Sequence, residues 1–207
     1  MDPPDHVVFV VDDDVRICEA LTDLLSTFDL SAVTFRSAAE YLAYPKPDVP
    51  ACLVLDVQLP DINGLDLQTA EGDHHPPIVF ITGHGDIPMS VRAIKAGAVD
   101  FLTKPLKEAD LMRVIHAALA QDRIDRLRRA DLIELRRRWS RLTPREREVL
   151  PLIVSGLLNK QAAGQLGISE VTLQIHRGKI MKKMEAGSLA DLVRMAGTLA
   201  IPLHPRP

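Results

Sequence analysis

Residues 7–14 read Val-Val-Phe-Val-Val-Asp-Asp-Asp, an unbroken β-branched and aromatic run that ends in three acidic side chains. Apolar residues without polar alternation predict a strand buried on both faces, as in a parallel sheet covered by helices. Residues 15–28 then carry apolar side chains at helical spacing, which predicts an amphipathic helix. The chain therefore starts with the strand and helix of an α/β domain.

The same alternation continues through the first 120 residues. Short apolar runs predict four further strands, at 31–35, 52–55, 78–81 and 99–102. Helices are predicted between these strands, and another begins at Glu108. The helix that starts near Leu65 looks short and should end by Gly72, and the adjacent His74 and His75 are expected to be solvated. Five strands that alternate with helices predict a (βα)5 doubly wound parallel sheet over residues 6–120.

Polar side chains follow four of these strands, at the edge where open parallel sheets bind ligands. They are Asp12 and Asp13, Asp56, Thr82 and Lys104. A single aspartate there usually caps a helix, but this joint set is harder to explain by capping. Clustered carboxylates repel one another unless a divalent cation is bound, and oxygen ligands select Mg²⁺ or Mn²⁺. One carboxylate could then attack phosphorus and form an acyl phosphate.

This set, with Pro105 after the lysine, resembles the receiver domain of two-component response regulators over nearly the whole of residues 1–120. The resemblance implies that Asp56 accepts a phosphoryl group. It implies that Asp13, Asp56 and the backbone carbonyl of Gln58 hold Mg²⁺, with Asp12 acting through water. It also implies that Lys104 pairs with the phosphoryl group and that the bond to Pro105 is cis.

The resemblance further implies a switch pair, in which the Thr82 hydroxyl moves toward the phosphate and the Phe101 ring rotates inward. A rival class, the phosphatases of haloacid dehalogenase type, also forms an aspartyl phosphate. Those enzymes need a second aspartate two residues after the nucleophile, and position 58 is Gln. That alternative therefore fails.

Charge divides the chain into two parts. Residues 1–120 carry 8 Lys and Arg against 19 Asp and Glu, a net charge of −11, and residues 121–207 carry 17 against 9, a net of +8. A basic module that could meet a polyanion is thus joined to an acidic one. Residues 121–141 are rich in Arg and Asp, with apolar residues at intervals of three to five. They predict a helical linker that extends the preceding helix and could pair with a second copy.

Four helices are predicted after residue 141. Thr143, Asn159, Ser169 and Ser188 each suit the N-cap position of one of them. The second helix is short and ends at Gly167, and the third, over residues 170–184, is basic. A short helix, a tight turn and a basic helix make a helix-turn-helix candidate.

Two segments, Leu-Thr-Pro-Arg-Glu-Arg-Glu-Val-Leu at 142–150 and Asn-Lys-Gln-Ala-Ala-Gly-Gln-Leu-Gly-Ile-Ser at 159–169, closely resemble the four-helix DNA-binding domain of LuxR-type regulators. That domain is expected over residues 142–203. With the receiver in front, the chain is similar to the NarL/FixJ family and most like its FixJ/StyR branch. The resemblance implies that the third helix enters the major groove. The implied DNA contacts are Lys160, Ser169, Thr172, Gln174, Ile175, Arg177, Lys179 and Lys182.

The resemblance also implies that Gln174 and Ile175 occupy positions that reach base edges, where Gln suits adenine. Relatives usually carry Lys in place of Gln174 and a longer side chain in place of Gly178. These two departures should change the preferred DNA sequence and weaken the electrostatic part of the affinity. Pro151 should remove one hydrogen bond and kink its helix.

The leading hypothesis is a transcription factor whose Asp56 is phosphorylated by a sensor histidine kinase, so that two receivers pair and bind a promoter as a homodimer. The first alternative is a constitutive DNA-binding regulator whose receiver serves for protein contact. An RNA-binding antiterminator has a different helical output, and a metabolic enzyme would need a further pocket. No apolar run approaches the roughly 20 residues of a membrane span. The acidic N-terminus does not resemble a signal peptide, so we expect a cytoplasmic protein.

Overall fold

The first unit is a parallel sheet between two layers of helices. The structure, a computed structural model, describes residues 5–70, 75–83, 85 and 87–202. The elements alternate along the chain as β1 (Val7–Val11), α1 (Val15–Ser26), β2 (Ala32–Phe35), α2 (Ala38–Ala43), β3 (Ala51–Asp56), α3 (Gly64–Ala70), β4 (Ile78–Thr82), α4 (Ile87–Lys95), β5 (Asp100–Thr103) and α5 (Glu108–Ser140). The strand order is β2-β1-β3-β4-β5, and all pairs are parallel. The predicted doubly wound sheet is confirmed.

The sheet buries both of its faces. Phe9 points into one core together with Phe35 and Tyr41, whose rings pack edge-on against one another. Its neighbours in β1 point to the opposite core, which is built with Leu111 and Ile115 of α5. Residues 71–74 lie outside the described part of the chain, so what was expected of Gly72 and His74 stays a prediction.

Helix α5 is hydrogen-bonded to the sheet through Asp122, a residue inside the segment 121–141 that was predicted to be a linker. Asp122 is 3% exposed. Its Oδ2 accepts hydrogen bonds from the backbone N–H of Ala51, at 2.8 Å, and from Nε of Arg126, at 2.6 Å. Arg126 also pairs with Asp48 in the loop before β3. The chain divides into two compact units between Arg126 and Leu127, inside the predicted linker of residues 121–141.

The second unit is helical. Its helices are the C-terminal part of α5, α6 (Pro144–Val154), α7 (Asn159–Leu166), α8 (Glu170–Met184) and α9 (Leu189–Thr198). They enclose a core that includes Val149, Leu150, Leu173, Ile180 and Met184. Leu203, the last residue of the predicted domain, lies outside the described residues.

The helix caps follow the sequence prediction except at α7. Thr143, Ser169 and Ser188 are N-caps, and each side chain accepts a backbone hydrogen bond. The prediction for Asn159 was wrong, because the N-cap is Leu158 and Asn159 is the first helical residue. The Asn159 side chain instead accepts a hydrogen bond from Nη1 of Arg177 in α8, at 3.2 Å. The Asn159 side chain therefore contacts a neighbouring helix and does not cap its own.

A glycine ends one helix of the helical unit, and a proline lies inside another. Gly167 ends α7 with φ of 63°, in the left-handed region that glycine adopts without strain. Pro151 lies inside α6, which continues to Val154. The kink at Pro151 stays a prediction.

A buried ion pair joins α6 to α8. The Glu146 side chain is 3% exposed, and one of its carboxylate oxygens accepts hydrogen bonds from Nζ of Lys183, at 2.6 Å, and from the Thr143 N–H, at 2.8 Å. Burial raises the pKa of Glu146. The hydrogen bonds from Lys183 and Thr143 outweigh burial and hold this pKa below its usual range. The charged form therefore stabilises the folded state above the unfolded-state pKa of about 4.3, and this stabilisation is lost as the pH falls below it.

We expect Glu146→Gln to destabilise the helical unit by about 1–3 kcal/mol at pH 7, because Lys183 loses its buried anion while the Thr143 cap is kept. The loss should shrink at acid pH, where the wild-type side chain is itself protonated. Urea unfolding followed by fluorescence of Trp139, the one tryptophan of the chain, measures this unit. Glu148→Gln is the matched control, since its pair with Arg145 is exposed. Equal losses for both variants would contradict the prediction.

The two cysteines, Cys18 and Cys52, are buried and free. Burial raises the pKa of both thiols, so neither is a reactive thiolate. In the part of the chain that the structure describes, no helix is both long and apolar enough to cross a membrane.

Candidate functional site

Three carboxylates meet at the carboxyl edge of the sheet. Asp12 and Asp13 follow β1, and Asp56 is the last residue of β3, which pairs with β1 in parallel. Each can offer an oxygen within 4.8 Å of the others. Asp12 and Asp56 are buried, at 0% and 6% exposed, and Asp13 is exposed. Parallel pairing thus assembles the cluster that the sequence predicted.

Lys104 is the counter-charge of this cluster. Its Nζ lies 2.6 Å from Oδ2 of Asp12 and 3.3 Å from Oδ2 of Asp56. Its backbone N–H donates to the carbonyl of Thr82, at 2.8 Å, which ties the end of β5 to the end of β4. The peptide bond between Lys104 and Pro105 is cis, as the resemblance implied. The site holds three carboxylates and this one ammonium group, so carboxylates outnumber their counter-charge.

The surroundings of Asp56 and Lys104 raise the pKa values of both groups. Burial raises the pKa of Asp56, and Asp12 raises it further, against the lowering effect of Lys104. Burial lowers the pKa of Lys104, but its hydrogen bond to Asp12 and the charges of both aspartates outweigh this and raise that pKa. Oδ1 of Asp56 is buried and has no hydrogen-bond partner among the described residues. An orphaned buried carboxylate oxygen in an acidic cluster fits the needs of a hard divalent cation.

The loop after β3 closes tightly onto the end of the strand. Gln58 pairs with Asn63 across this loop, and the N–H of Gly64 donates to the carbonyl of Val57, at 2.9 Å. A Cβ at position 64 would lie 2.6 Å from the backbone oxygen of Asp56, so only glycine permits this approach. The loop thereby fixes the backbone of Gln58, whose carbonyl is one of the expected metal ligands.

The expected switch residues lie on neighbouring strands. Thr82 is the last residue of β4 and is fully buried. Phe101 is half-buried in β5, opposite Phe80, and the two ring centroids are 6.3 Å apart. Sequence analysis missed the role of Gly85, where a Cβ would lie 2.9 Å from the Phe101 ring and 3.1 Å from the Thr82 methyl group. The backbone at Gly85 therefore covers both residues.

The residues expected to contact DNA surround α8. Lys160, Ser169, Gln174, Ile175, Lys179 and Lys182 are exposed, and Thr172 and Arg177 are half-buried. Ser169 and Thr172 share a hydrogen bond of 2.8 Å between their hydroxyl oxygens at the start of the helix. Because Arg177 is bonded to Asn159, it also holds α8 against α7. The sequence left open which apolar residues of α8 face the core, and the structure buries Leu173, Ile180 and Met184.

Comparisons with known proteins cover both units. Residues 8–116 match the response regulator receiver domain, and residues 140–196 match the bacterial regulatory proteins of the luxR family. The chain is 50% identical over 197 residues to nodulation protein W of Bradyrhizobium diazoefficiens, which covers 94% of this chain and 87% of that protein. It is 43% identical over 201 residues to response regulator protein TmoT of Ectopseudomonas mendocina, with 96% and 91% covered. The solved structure of response regulator StyR is similar at a TM-score of 0.80 and 45% identity, covering 93% of this chain and 98% of that one.

Fold and site together define a response regulator transcription factor rather than a metabolic enzyme. The chain belongs to the NarL/FixJ family, in which a receiver domain precedes a LuxR-type DNA-binding domain, and it falls in the FixJ/StyR-like branch. Receiver domains generally bind Mg²⁺ at an acidic pocket, and the cluster of Asp12, Asp13 and Asp56 is such a pocket. A receiver implies a sensor kinase as partner, and the LuxR-type domain implies DNA.

Proposed function

We propose that a sensor histidine kinase phosphorylates Asp56 and that this switches dimerisation and sequence-specific DNA binding. The observation that carries the proposal is the contact of Lys104 with both Asp12 and Asp56, in a chain that also has a DNA-binding domain. A buried carboxylate beside a fixed ammonium group and two further carboxylates suits in-line phosphoryl transfer. Such transfer needs positioning and charge compensation more than covalent chemistry.

Each residue of the cluster has one task in this proposal. Asp56 forms a bond to phosphorus through a carboxylate oxygen, and the bond between phosphorus and the donor breaks. Asp13, Asp56 and the Gln58 carbonyl hold Mg²⁺ or Mn²⁺, and Asp12 acts through water. When bound, the metal neutralises charge on the phosphoryl oxygens. Lys104 compensates the remaining charge, and it keeps Asp12 from being an unpaired buried anion.

Phosphorylation would act through Thr82 and Phe101. The buried Thr82 hydroxyl bonds to the new phosphoryl group, and the half-buried Phe101 ring moves inward. This movement biases the surface of α4, β5 and α5. On α4 the side chains of Ile87, Val91 and Ile94 are 78%, 44% and 46% exposed and recur at helical spacing, as an interface between two receivers requires.

The paired proteins then place two α8 helices on a palindromic promoter site. Lys160, Arg177, Lys179 and Lys182 contact phosphates with Thr172, Ser169 lies at the N-terminus of the helix, and Gln174 and Ile175 reach base edges. The proposed domains are the receiver at 6–120, the helical linker at 121–141 and the DNA-binding domain at 142–203. The proposed location is the cytoplasm, where the kinase and the promoter are both accessible.

The test compares promoter binding by the full-length protein before and after treatment with acetyl phosphate and Mg²⁺, at one salt concentration. We expect tighter binding after treatment, by between about 5- and 150-fold, the usual range of coupling between two sites. Sedimentation under the same conditions should show a dimer. Tight promoter binding that is the same with and without the phosphodonor would instead support a constitutive regulator.

Asp13→Asn should weaken Mg²⁺ binding at least about tenfold, because one of three clustered carboxylates loses its charge. Asp13 is exposed, so the substitution leaves the core intact. Titration calorimetry of the full-length protein with Mg²⁺ measures the effect. Asp14→Asn is the matched control, because the Asp14 carboxylate caps α1 and pairs with Arg16, and asparagine can also cap a helix. If the two variants bind Mg²⁺ equally well, the proposed ligand set is wrong.

A further inference from the structure

The outer face of α8 carries two large apolar side chains in water. Val171 is 68% exposed and Ile175 is 54% exposed. They are four residues apart, so one lies above the other on the helix surface. At about 100° per residue, both lie opposite the buried Leu173, Ile180 and Met184. They therefore form the centre of the face that points away from the domain.

Charge and shape around this pair fit DNA. Lys182 lies on the same outer line of α8, and Lys179 of α8 and Lys160 of α7 are exposed in the same unit. Gly178 follows Ile175 on this face, and a Cβ built there would have no atom within 4 Å. No side chain projects from α8 at position 178, beside Ile175, so the helix backbone can approach a DNA groove closely there. An apolar centre with a cationic surround is complementary to base edges flanked by phosphates.

Chemistry narrows what Val171 and Ile175 can recognise. Their side chains have no hydrogen-bonding atoms, so they cannot read the donors and acceptors of a base pair. The apolar group that the major groove offers is the 5-methyl group of thymine. Val171 is the second residue of α8, and in helix-turn-helix proteins the N-terminal residues of this helix contact base edges.

We propose that Val171 is a further specificity residue, and that it and Ile175 each contact the 5-methyl group of a thymine in every half-site. The inference rests on the proposed DNA binding and adds its chemical basis. Gln174 lies beside the pair and can bond to an adenine edge, so the preferred half-site is rich in A·T pairs.

The test removes single methyl groups from DNA. A preferred site is first selected from random duplexes with the full-length phosphorylated protein, and each thymine of that site is then replaced by deoxyuridine, which keeps every hydrogen-bonding group. We expect a loss of affinity of about fourfold at two positions per half-site, the value of one buried methyl group. Val171→Ala should abolish the loss at one position and Ile175→Ala at the other.

Controls separate this inference from the proposed function. Val193→Ala, an exposed valine on α9, should keep both uracil effects. If no site is enriched in the selection, the proposed sequence-specific binding fails. If a site is enriched but uracil is tolerated everywhere, or if Val171→Ala keeps both effects, the thymine contact is overturned. Tolerance of uracil at every position of an enriched site would instead indicate that Val171 and Ile175 contact a protein partner.

Discussion

An Asp56→Asn protein treated with acetyl phosphate and Mg²⁺ should acquire no aspartyl phosphate, whereas the wild-type protein acquires one phosphoryl group. The amide nitrogen and oxygen of asparagine are poor nucleophiles, so the bond to phosphorus cannot form. The acyl phosphate is detected by intact mass and by its removal with hydroxylamine. DNA affinity of the variant should then be the same with and without the phosphodonor, and should equal that of the untreated wild-type protein.

Folding does not confound this result. Burial and the charge of Asp12 raise the pKa of Asp56. Ionisation of this carboxylate therefore destabilises the folded state, and the stability of the protein decreases as the pH rises through the raised pKa. Asparagine removes this cost, and we expect its unfolding midpoint in urea to be no lower than that of the wild-type protein. Asp110→Asn, on the exposed surface of α5, is the matched control and should be labelled normally. Labelling of the Asp56 variant at the wild-type rate would falsify the assignment of the phosphoacceptor.

The triple variant Lys160→Ala, Lys179→Ala and Lys182→Ala should lose about 10²–10³-fold in promoter affinity near 0.1 M salt. Each phosphate contact contributes about 0.9 to the slope of log affinity against log salt, so three contacts reduce the slope by about 3. The three side chains are exposed, and the helical unit should stay folded. Binding measured at four or more salt concentrations gives the slope directly.

The control for this experiment removes the same charge elsewhere. Arg36, Lys107 and Arg123 are exposed basic residues outside the LuxR-type domain, and their triple alanine variant should keep the wild-type slope. Net charge would account for the effect if both triple variants lost slope equally. Specificity should change little in the lysine variant, because phosphate contacts carry no sequence information. A large change in sequence preference would therefore argue that these lysines contact bases.

Much of the α/β unit follows from local pattern. A strand buried on both faces is apolar along its length, as β1 is throughout and β3 is over residues 51–55. Parallel pairing then brings their carboxyl ends to one edge of the sheet. The sequence alone therefore predicts that Asp12, Asp13 and Asp56 lie close together. Their contacts with Lys104 follow from the same topology, because β5 ends at that edge.

Other features depend on partners distant in sequence. The bond from Ala51 to Asp122 joins residues 71 apart, and no local pattern signals it. Asn159 has the chemistry of a cap, but its side chain bonds to Arg177 of α8, a partner that the N-cap pattern does not include. Val171 has the apolar character of a core residue, and only the packing of Leu173 and Ile180 shows that it points outward.

The bond between Asp122 and Ala51 sets where the receiver can be cut from the chain. A fragment that stops at residue 120 would leave the Ala51 N–H buried without its acceptor, at the start of the strand whose other end is Asp56. A fragment that extends beyond Arg126 keeps this acceptor and the pair with Asp48. The compact unit that contains the sheet thus extends to Arg126, and it includes more than one helical turn of sequence that composition alone assigns to the linker.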